Sequence, residues 1–198
     1  MFYTHFFDTI EETMDKIDYL ELENLVDYII NIRDSKGRIF FLGNGGSVSS
    51  CSHAVNDFRK IANIECYNIA DNISELSART NDDGFDTVFI EWLKTSRLSS
   101  NDAIFVISVG GGDKENNVST NIVNAIDYAR EKGASTLGIV GRDGGYAKKY
   151  GDAVVVIPPI DPELITPITE SFHSIIAHLL VSHPYLKSNQ TKWESLDE

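Results

Sequence analysis

The fold of this chain is decided by residues 38–60, RIFFLGNGGSVSSCSHAVNDFRK. Its apolar start, residues 39–42, predicts a short buried parallel strand, because a charged residue and a glycine bound it. The turn at residues 43–46 tolerates positive φ and lets a ligand approach the backbone, and Ser47 is expected to cap a helix from Val48 onward. A strand, a glycine loop and a helix N-terminus in this order predict a seat for an anion or polar ligand, since free N–H groups converge there.

Two polar side chains follow on the predicted helix. His53 and Asp57 are four residues apart and therefore share one face. An imidazole and a carboxylate close to a ligand seat indicate a metal site or an acid/base pair. Each motif alone has an ordinary explanation, a plain loop and a surface ion pair, but their order along the chain favours the functional one. Cys51 is expected to be a small buried packing residue.

The motif GNGGS at residues 43–47, followed by this histidine and acid, resembles the phosphoheptose isomerases of the sugar isomerase (SIS) domain superfamily. The resemblance implies an aldose–ketose isomerase that converts sedoheptulose 7-phosphate to D-glycero-D-manno-heptose 7-phosphate through an enediol. It implies that His53 and Asp57 hold zinc or another divalent metal, although Asp57 stands where the family has Glu. It also implies substrate contacts from the glycine loop, namely from Asn44, Gly45, Gly46 and Ser47.

Length and composition favour one soluble domain. The 198 residues are 42% hydrophobic and 24% charged, as in ordinary globular proteins, and no window approaches the roughly 20 apolar residues of a membrane span. The N-terminus has no secretory signal pattern, so the cytosol is the expected location. A net charge of −13 argues against a nucleic-acid partner. The expected partner is a small sugar phosphate, with neither nucleic acid nor membrane.

Alternating strands and helices predict an α/β fold. Short apolar runs at residues 65–70, 103–108, 136–140 and 153–157 join the first strand in a parallel sheet of about five strands, and helices on both faces complete three αβα layers. Ligands of such sheets lie beyond the carboxyl ends of the strands. The expected single SIS domain has a core over residues 36–184 and a polar tail over residues 185–198.

The N-terminal segment, residues 1–35, has apolar residues every three to four positions and predicts a pair of amphipathic helices. We expect this pair to pack partly on the domain and partly on another subunit, with an intrachain cap as the alternative. The family resemblance implies a homotetramer with shared active sites.

Two further loops carry expected substrate contacts. Asn81 and Asp82 match an Asn-Asp pair that contacts the sugar in the family, although turn chemistry alone explains them. After the third strand, Ser108, Val109, Gly110 and Ser119 lie where the family has its serine-rich phosphate loop. The chain departs from that pattern, because Gly110 replaces the middle serine and about six extra residues include Asp113 and Glu115. Lys114 is the candidate to compensate.

The last predicted helix, residues 169–182, completes the expected metal site. Glu170 and His178 match the Gln-x7-His pattern of the family and are expected to join His53 and Asp57 as ligands, with Glu170 also contacting substrate. Asp57 and His178 are the expected catalytic residues. Eight residues of helix rise about 12 Å, so Glu170 must reach along the helix, precede its first turn, or serve another subunit. Three of the five histidines fall within residues 173–183, which a wet helix face explains equally well.

Two other functions stay open at this point. One is a non-catalytic SIS domain that binds a sugar phosphate or a protein partner. The other is an isomerase for a different sugar phosphate, in which the insertion at residues 111–117 reshapes the pocket.

Overall fold

A five-stranded parallel sheet forms the centre of the molecule. The computed structural model describes residues 1–196, and within them the strand order is β2-β1-β3-β4-β5 with every pair parallel. The predicted parallel α/β architecture is therefore confirmed. The strands are β1 (Ile39–Leu42), β2 (Cys66–Asn68), β3 (Ala103–Ser108), β4 (Ser135–Val140) and β5 (Ala153–Val156).

Helices cover both faces of this sheet. The predicted N-terminal helical pair is present as the first two helices, and one or two helices follow each strand. In this range no helix combines the length and apolar character that crossing a bilayer requires. The helices are α1 (Phe2–Asp15), α2 (Tyr19–Asp34), α3 (Gly46–Lys60), α4 (Ile73–Asp83), α5 (Val88–Thr95), α6 (Thr120–Lys132), α7 (Gly145–Tyr150) and α8 (Ile165–Ser182), with short 3-10 turns at Ile69–Asp71 and Trp193–Ser195.

The alternation of side chains along the strands produces two apolar layers. Phe41 and Phe105 point to the layer that holds α2, α3 and α8, and their rings stack with centroids 4.8 Å apart. Phe40 and Ile104 point to the other layer, with α5 and α6. Burying a side chain of this size stabilises the fold by about 1.5–3 kcal/mol. The tight α3 and α8 packing on one face places these two helices side by side.

The two N-terminal helices differ in how far they pack against the rest of the chain. Asp18 caps α2 by accepting from the backbone N–H groups of Leu20 and Glu21, and α2 packs in the core beside β5. In α1, by contrast, Phe2 and Phe7 remain about two-thirds exposed. One helix of the pair is thus an intrachain cap, while the other keeps an apolar outer face.

Local chemistry moved several boundaries from their predicted positions. The glycine-loop helix begins at Gly46, because Gly45 occupies the cap position with φ 58°, and Ser47 lies inside the helix without capping it. α6 begins at Thr120 rather than near 117, since Asp113 and Val118 pair in a small antiparallel bridge just before it. The final helix begins at Ile165, four residues before the predicted start.

The start of the predicted polar tail is packed. Leu186 is fully buried, and the backbone N–H groups of Ser188 and Asn189 both donate to the carbonyl of Ile61 just beyond α3. The Asn189 side chain donates to the carbonyl of Lys60 at 2.9 Å. These contacts satisfy carbonyl groups that the end of α3 leaves without helical partners.

Candidate active site

A cluster of two histidines and one aspartate lies between α3 and α8. Oδ2 of Asp57 is 3.4 Å from Nε2 of His53 and 3.3 Å from Nε2 of His178. The candidate ligand atoms of all three residues lie within 4.8 Å of one another. The helical spacing explains the His53–Asp57 pair, and the α3–α8 packing brings in His178 from the far end of the chain.

The donor set of this cluster fits a zinc ion. Zinc in proteins takes imidazole nitrogen and carboxylate oxygen, and catalytic sites use three protein ligands with one position open. In a tetrahedral site with bonds of about 2.0–2.1 Å, neighbouring donor atoms are about 3.3–3.4 Å apart. Both distances from Asp57 match this separation. The two Asp57 distances therefore suit a divalent metal, while the ligand atoms of the two histidines lie within 4.8 Å of each other.

Burial and hydrogen bonding give the three ligands different characters. The side chain of Asp57 is 10% exposed, whereas those of His53 and His178 are more than half exposed. Nδ2 of Asn56 donates to Oδ1 of Asp57 at 2.8 Å, which holds the carboxylate with Oδ2 towards the imidazoles. The carboxylate is thus fixed, and the histidine rings line an open side.

A cavity of about 330 Å³ lies at the carboxyl ends of β1, β3 and β4. It is where a parallel sheet binds its ligands. It is lined by Asn44, Ser47, Ser108, Val109, Gly110, Gly112, Asp113, Val118, Ser119, Arg142, Asp143, Gly145 and Glu170.

Side-chain amides join two of the loops around this cavity. The amides of Asn44 and Asn121 donate to each other's carbonyl oxygens at 3.1 and 3.0 Å. Asn121 is buried at the start of α6, and its oxygen also accepts from the N–H of Ile122. The loop after β1 is therefore tied to the N-terminus of α6.

Glycines let the loops after β3 and β4 pack backbone to backbone. A Cβ on Gly111 would collide with the carbonyl of Gly144, and one on Gly145 with the carbonyl of Gly110. The N–H of Tyr146 donates to the carbonyl of Gly112 at 2.8 Å. The two loops form one wall, and only glycine fits at their contact.

The structure separates Glu170 from the cluster. Its carboxylate lies against Gly46, where a Cβ would be 2.5 Å from Oε1. Glu170 lies within α8, so it does not precede the first turn, and it does not reach along the helix to His178. Within one chain, the prediction that four side chains meet around one ion is therefore corrected to three. A role for Glu170 in the site of another subunit stays a prediction.

The structure also separates Asn81 and Asp82 from the cavity. Both are exposed on the last turn of α4, where the Asn81 amide donates to the Asp82 carboxylate, and neither lines the cavity of its own chain. The predicted polar turn is wrong at these positions, since α4 runs on to Asp83. Ser108, Val109, Gly110 and Ser119 do line the cavity.

Lys114 was predicted to compensate for the missing serine, but the cation that lines the cavity is another residue. Nζ of Lys114 pairs with Asp127 at 2.9 Å and does not line the cavity. Arg142, in the turn after β4, does line it. The available signal was a basic residue in a glycine turn directly after a buried strand, at the sheet edge where ligands bind.

His173, also in α8, belongs neither to the cluster nor to the cavity lining. It is fully buried in α8, and its ring lies near the backbone of Ser108 without a hydrogen bond of standard geometry among residues 1–196. Burial lowers the pKa of His173 to about 4, because the charged imidazolium is poorly solvated there. His173 is thus a neutral core residue, and the expectation of a wet helix face is wrong for it.

Comparisons with known proteins agree on one family. Residues 3–141 match the SIS domain family. The lincomycin biosynthesis protein LmbN of Streptomyces lincolnensis is 34% identical over 160 residues, which are 74% of this chain and 56% of that protein. This chain thus spans little more than half of that relative. The phosphoheptose isomerase of a Nitratiruptor species is 31% identical over 150 residues, 73% of this chain and 74% of that protein.

Solved structures show the same fold. The phosphoheptose isomerase GmhA from Neisseria gonorrhoeae superposes with a TM-score of 0.77 over 91% of this chain and 95% of that chain, at 23% sequence identity. The matched fold, the matched sequence region and the coverage of the isomerase relatives agree. The chain therefore belongs to the SIS domain family and, within it, to the phosphoheptose isomerases.

Proposed function

We propose that this protein is an aldose–ketose isomerase that converts sedoheptulose 7-phosphate to D-glycero-D-manno-heptose 7-phosphate. The observation that carries the proposal is the His53, Asp57 and His178 cluster, which lies about two to three helical turns beyond a glycine-loop cavity. The cluster supplies an acid, a base and metal ligands. The cavity supplies a binding site for a phosphorylated sugar. Relatives that carry the name phosphoheptose isomerase support the choice of substrate.

The chemistry needs one base and one acid. Isomerisation moves a proton between adjacent carbons through an enediol, and the oxygens on those carbons exchange the roles of hydroxyl and carbonyl. Asp57 takes the carbon-bound proton, and His178 exchanges a proton with the neighbouring oxygen. The hydrogen bond from Asn56 orients the Asp57 carboxylate for this task.

The metal we propose is zinc, or another divalent cation with similar ligand preferences. His53, Asp57 and His178 would hold it in this chain, and two imidazoles with a carboxylate are a donor set that zinc accepts. When bound, such an ion polarises the sugar oxygens and favours loss of the carbon-bound proton. Because Oδ2 of Asp57 faces both histidines, Asp57 and His178 would each serve both as a metal ligand and in proton transfer.

The phosphate end of the substrate belongs in the cavity. Asn44, Gly45, Gly46 and Ser47 present the N-terminus of α3, and Ser108, Val109, Gly110 and Ser119 present the loop before α6. Helix N-termini and consecutive backbone N–H groups attract anions. These local groups must attract the phosphate against the repulsion of a chain whose net charge is −13.

The complete site is proposed to be shared between subunits of a homotetramer. Three predicted contact residues, Glu170, Asn81 and Asp82, lie apart from the cluster of their own chain. The exposed apolar face of α1 supports an assembly that covers it. The cytosolic location also stays a prediction.

A second candidate is an isomerase for a different sugar phosphate. Two observations favour it: Gly110 replaces a serine of the family loop, and the extra residues put Asp113 and Val118 into the cavity wall. Both change the lining where the substrate is held, and neither touches the cluster. The chemistry would be the same with another carbon chain.

The deciding experiment incubates purified protein with seven- and six-carbon ketose phosphates, with and without a chelator. We expect turnover of sedoheptulose 7-phosphate that the chelator abolishes and zinc restores. We also expect no turnover by Asp57→Asn or His178→Ala, each with an unchanged circular dichroism spectrum. Turnover of a six-carbon substrate alone would establish the second candidate. Binding of sugar phosphates without any turnover would identify a non-catalytic SIS domain and overturn the proposal.

A further inference from the structure

We propose that Arg142 binds the phosphate group of the substrate and replaces a hydroxyl contact that Gly110 cannot make. This inference rests on the proposed function for the identity of the ligand, but it concerns a residue that neither the sequence pattern nor the family resemblance assigned. The chemical class it recognises is a phosphate monoester dianion.

The position of Arg142 is set by the turn after β4. Its backbone has φ 52°, a left-handed conformation that a non-glycine residue rarely adopts. The side chain lies over the opposite loop, with Cδ 3.9 Å from where a Cβ on Gly110 would be. No other heavy atom outside the neighbouring residues comes within 4 Å of that point. The space that a serine side chain would enter thus borders the aliphatic part of Arg142.

The charges around the cavity single out this guanidinium. Asp113, Asp143 and Glu170 line the cavity, and Arg142 is its only cationic lining residue in the described part of the chain. A dianion held there without a cation would meet three carboxylates in a protein that is already strongly acidic. A positive partner is therefore required, and the lining offers one.

The guanidinium is free to take that role. Across residues 1–196 the Arg142 side chain makes no hydrogen bond and no ion pair within 4.0 Å, and its charge acts on the Asp113 carboxylate only at longer range. Of the nearby carboxylates, Asp113 accepts from the N–H groups of Glu115 and Asn116 and also interacts at longer range with the charge of Arg142. Asp143 likewise accepts from the N–H of Gly145. These hydrogen bonds turn both acids towards their own loops.

Arginine suits this ligand better than the hydroxyl it replaces. Its planar fork of N–H donors matches two phosphate oxygens at once, and its charge persists at every physiological pH. The N-terminus of α6, at Thr120, lies beside the same cavity through Ser119 and adds its dipole. Arg142 and the N-terminus of α6 together would favour binding of a phosphorylated sugar over the same sugar without its phosphate.

The test measures binding of inorganic phosphate by isothermal titration calorimetry, and KM for sedoheptulose 7-phosphate where turnover is present. Arg142→Ala removes the charge, Arg142→Lys keeps it without the fork, and Arg142→Gly controls for the left-handed backbone. Arg97→Ala is the matched control, because Arg97 is an exposed arginine with φ 54° outside the cavity.

We expect the Ala and Gly variants to bind phosphate about 10- to 100-fold more weakly, with KM raised similarly and kcat within about threefold. Arg142→Lys should retain part of the affinity, and Arg97→Ala all of it. Phosphate binding by Arg142→Ala within about twofold of wild type overturns the proposal, as does wild-type protein that does not bind phosphate. Arg142-dependent phosphate binding without isomerisation refutes the proposed function and leaves the anion site standing.

Discussion

Oδ2 of Asp57 lies 3.3 Å from Nε2 of His178, although the two residues belong to helices at opposite ends of the chain. Asp57 shares α3 with the glycine loop, and His178 shares α8 with Glu170. On each helix the cavity is at the N-terminal end and the cluster lies further along. The packing of α3 on α8 therefore sets both the donor geometry and its distance from the cavity.

The first prediction concerns metal binding by Asp57. Asp57→Asn replaces an anionic ligand by a weak neutral one, so we expect zinc affinity to fall by more than about 100-fold. Zinc at 100 times its wild-type Kd should raise the free energy of unfolding of wild type by about 2.7 kcal/mol, and that of the variant hardly at all. Differential scanning fluorimetry with and without zinc measures this. The exposed α2 variant Asp27→Asn is the control, and equal zinc stabilisation of both variants would contradict the metal site.

The second prediction concerns the contact between Gly46 and Glu170. Gly46→Ala would put a methyl group 2.5 Å from Oε1 of Glu170, so the flexible glutamate side chain must move away. Because Gly46 lies in the first turn of a helix, we expect a free energy of unfolding within about 1 kcal/mol of wild type. Binding of sugar phosphate should weaken, because Glu170, which lines the cavity, is displaced from its position beside Gly46. Urea unfolding and KM measurements separate the two effects, and an unchanged KM would show that Glu170 does not matter for the ligand.

The third prediction concerns pH and His173. Its folded pKa of about 4 is below the ordinary value of 6.5, so the unfolded chain binds the proton more readily. Stability from this residue is therefore complete above about pH 6.5 and is lost as pH falls towards 4. Between pH 7 and 5 the loss should be about 2 kcal/mol.

His173→Phe removes this titration while keeping a ring in the core. We expect urea midpoints of the variant to fall less than those of wild type between pH 7 and 5, since the carboxylates are common to both proteins. His183→Gln, outside the core, is the control and should follow wild type. Parallel pH profiles for wild type and His173→Phe would show that burial does not lower the pKa of His173.

The fourth prediction compares two glycines that share a positive φ. Gly45 and Gly145 have φ 58° and 51°, but a Cβ on Gly45 meets nothing within 4 Å, whereas one on Gly145 meets the carbonyls of Gly110 and Gly112. Gly45→Ala should cost about 1–3 kcal/mol, because φ 58° with ψ −127° is a sparsely populated conformation for alanine. Gly145→Ala should cost at least about 2 kcal/mol more, because backbone must move. Equal urea midpoints for the two variants would mean that the wall between the loops is not rigid.

Much of the fold followed from local sequence signals. β1 and β3 have their predicted bounds, because apolar runs bounded by polar residues or glycine leave little choice of register. The secondary-structure prediction was wrong where two local signals compete. Asn81 and Asp82 belong to a typical turn sequence, yet α4, capped by Asn72 and ended only at Gly84 with φ 89°, continues through them.

The candidate site was less predictable than the fold. The His53–Asp57 pair follows from helical spacing, but the position of His178 beside it depends on how two distant helices pack. Spacing along α8 could not say which groups Glu170 faces, since that depends on Gly46 of another helix. Arg142 was missed because its reach is set by the absence of a side chain at Gly110, which is a property of two loops together.

The docking of Leu186 and residues 188–189 onto the end of α3 has a practical consequence for handling this protein. A protease or a cloning boundary that removes these residues strips the anchor from the helix that carries His53 and Asp57. Binding of the proposed metal would then weaken, although the cluster residues themselves are still present. Preparations should therefore be checked by intact mass before a lack of activity is attributed to the active-site residues.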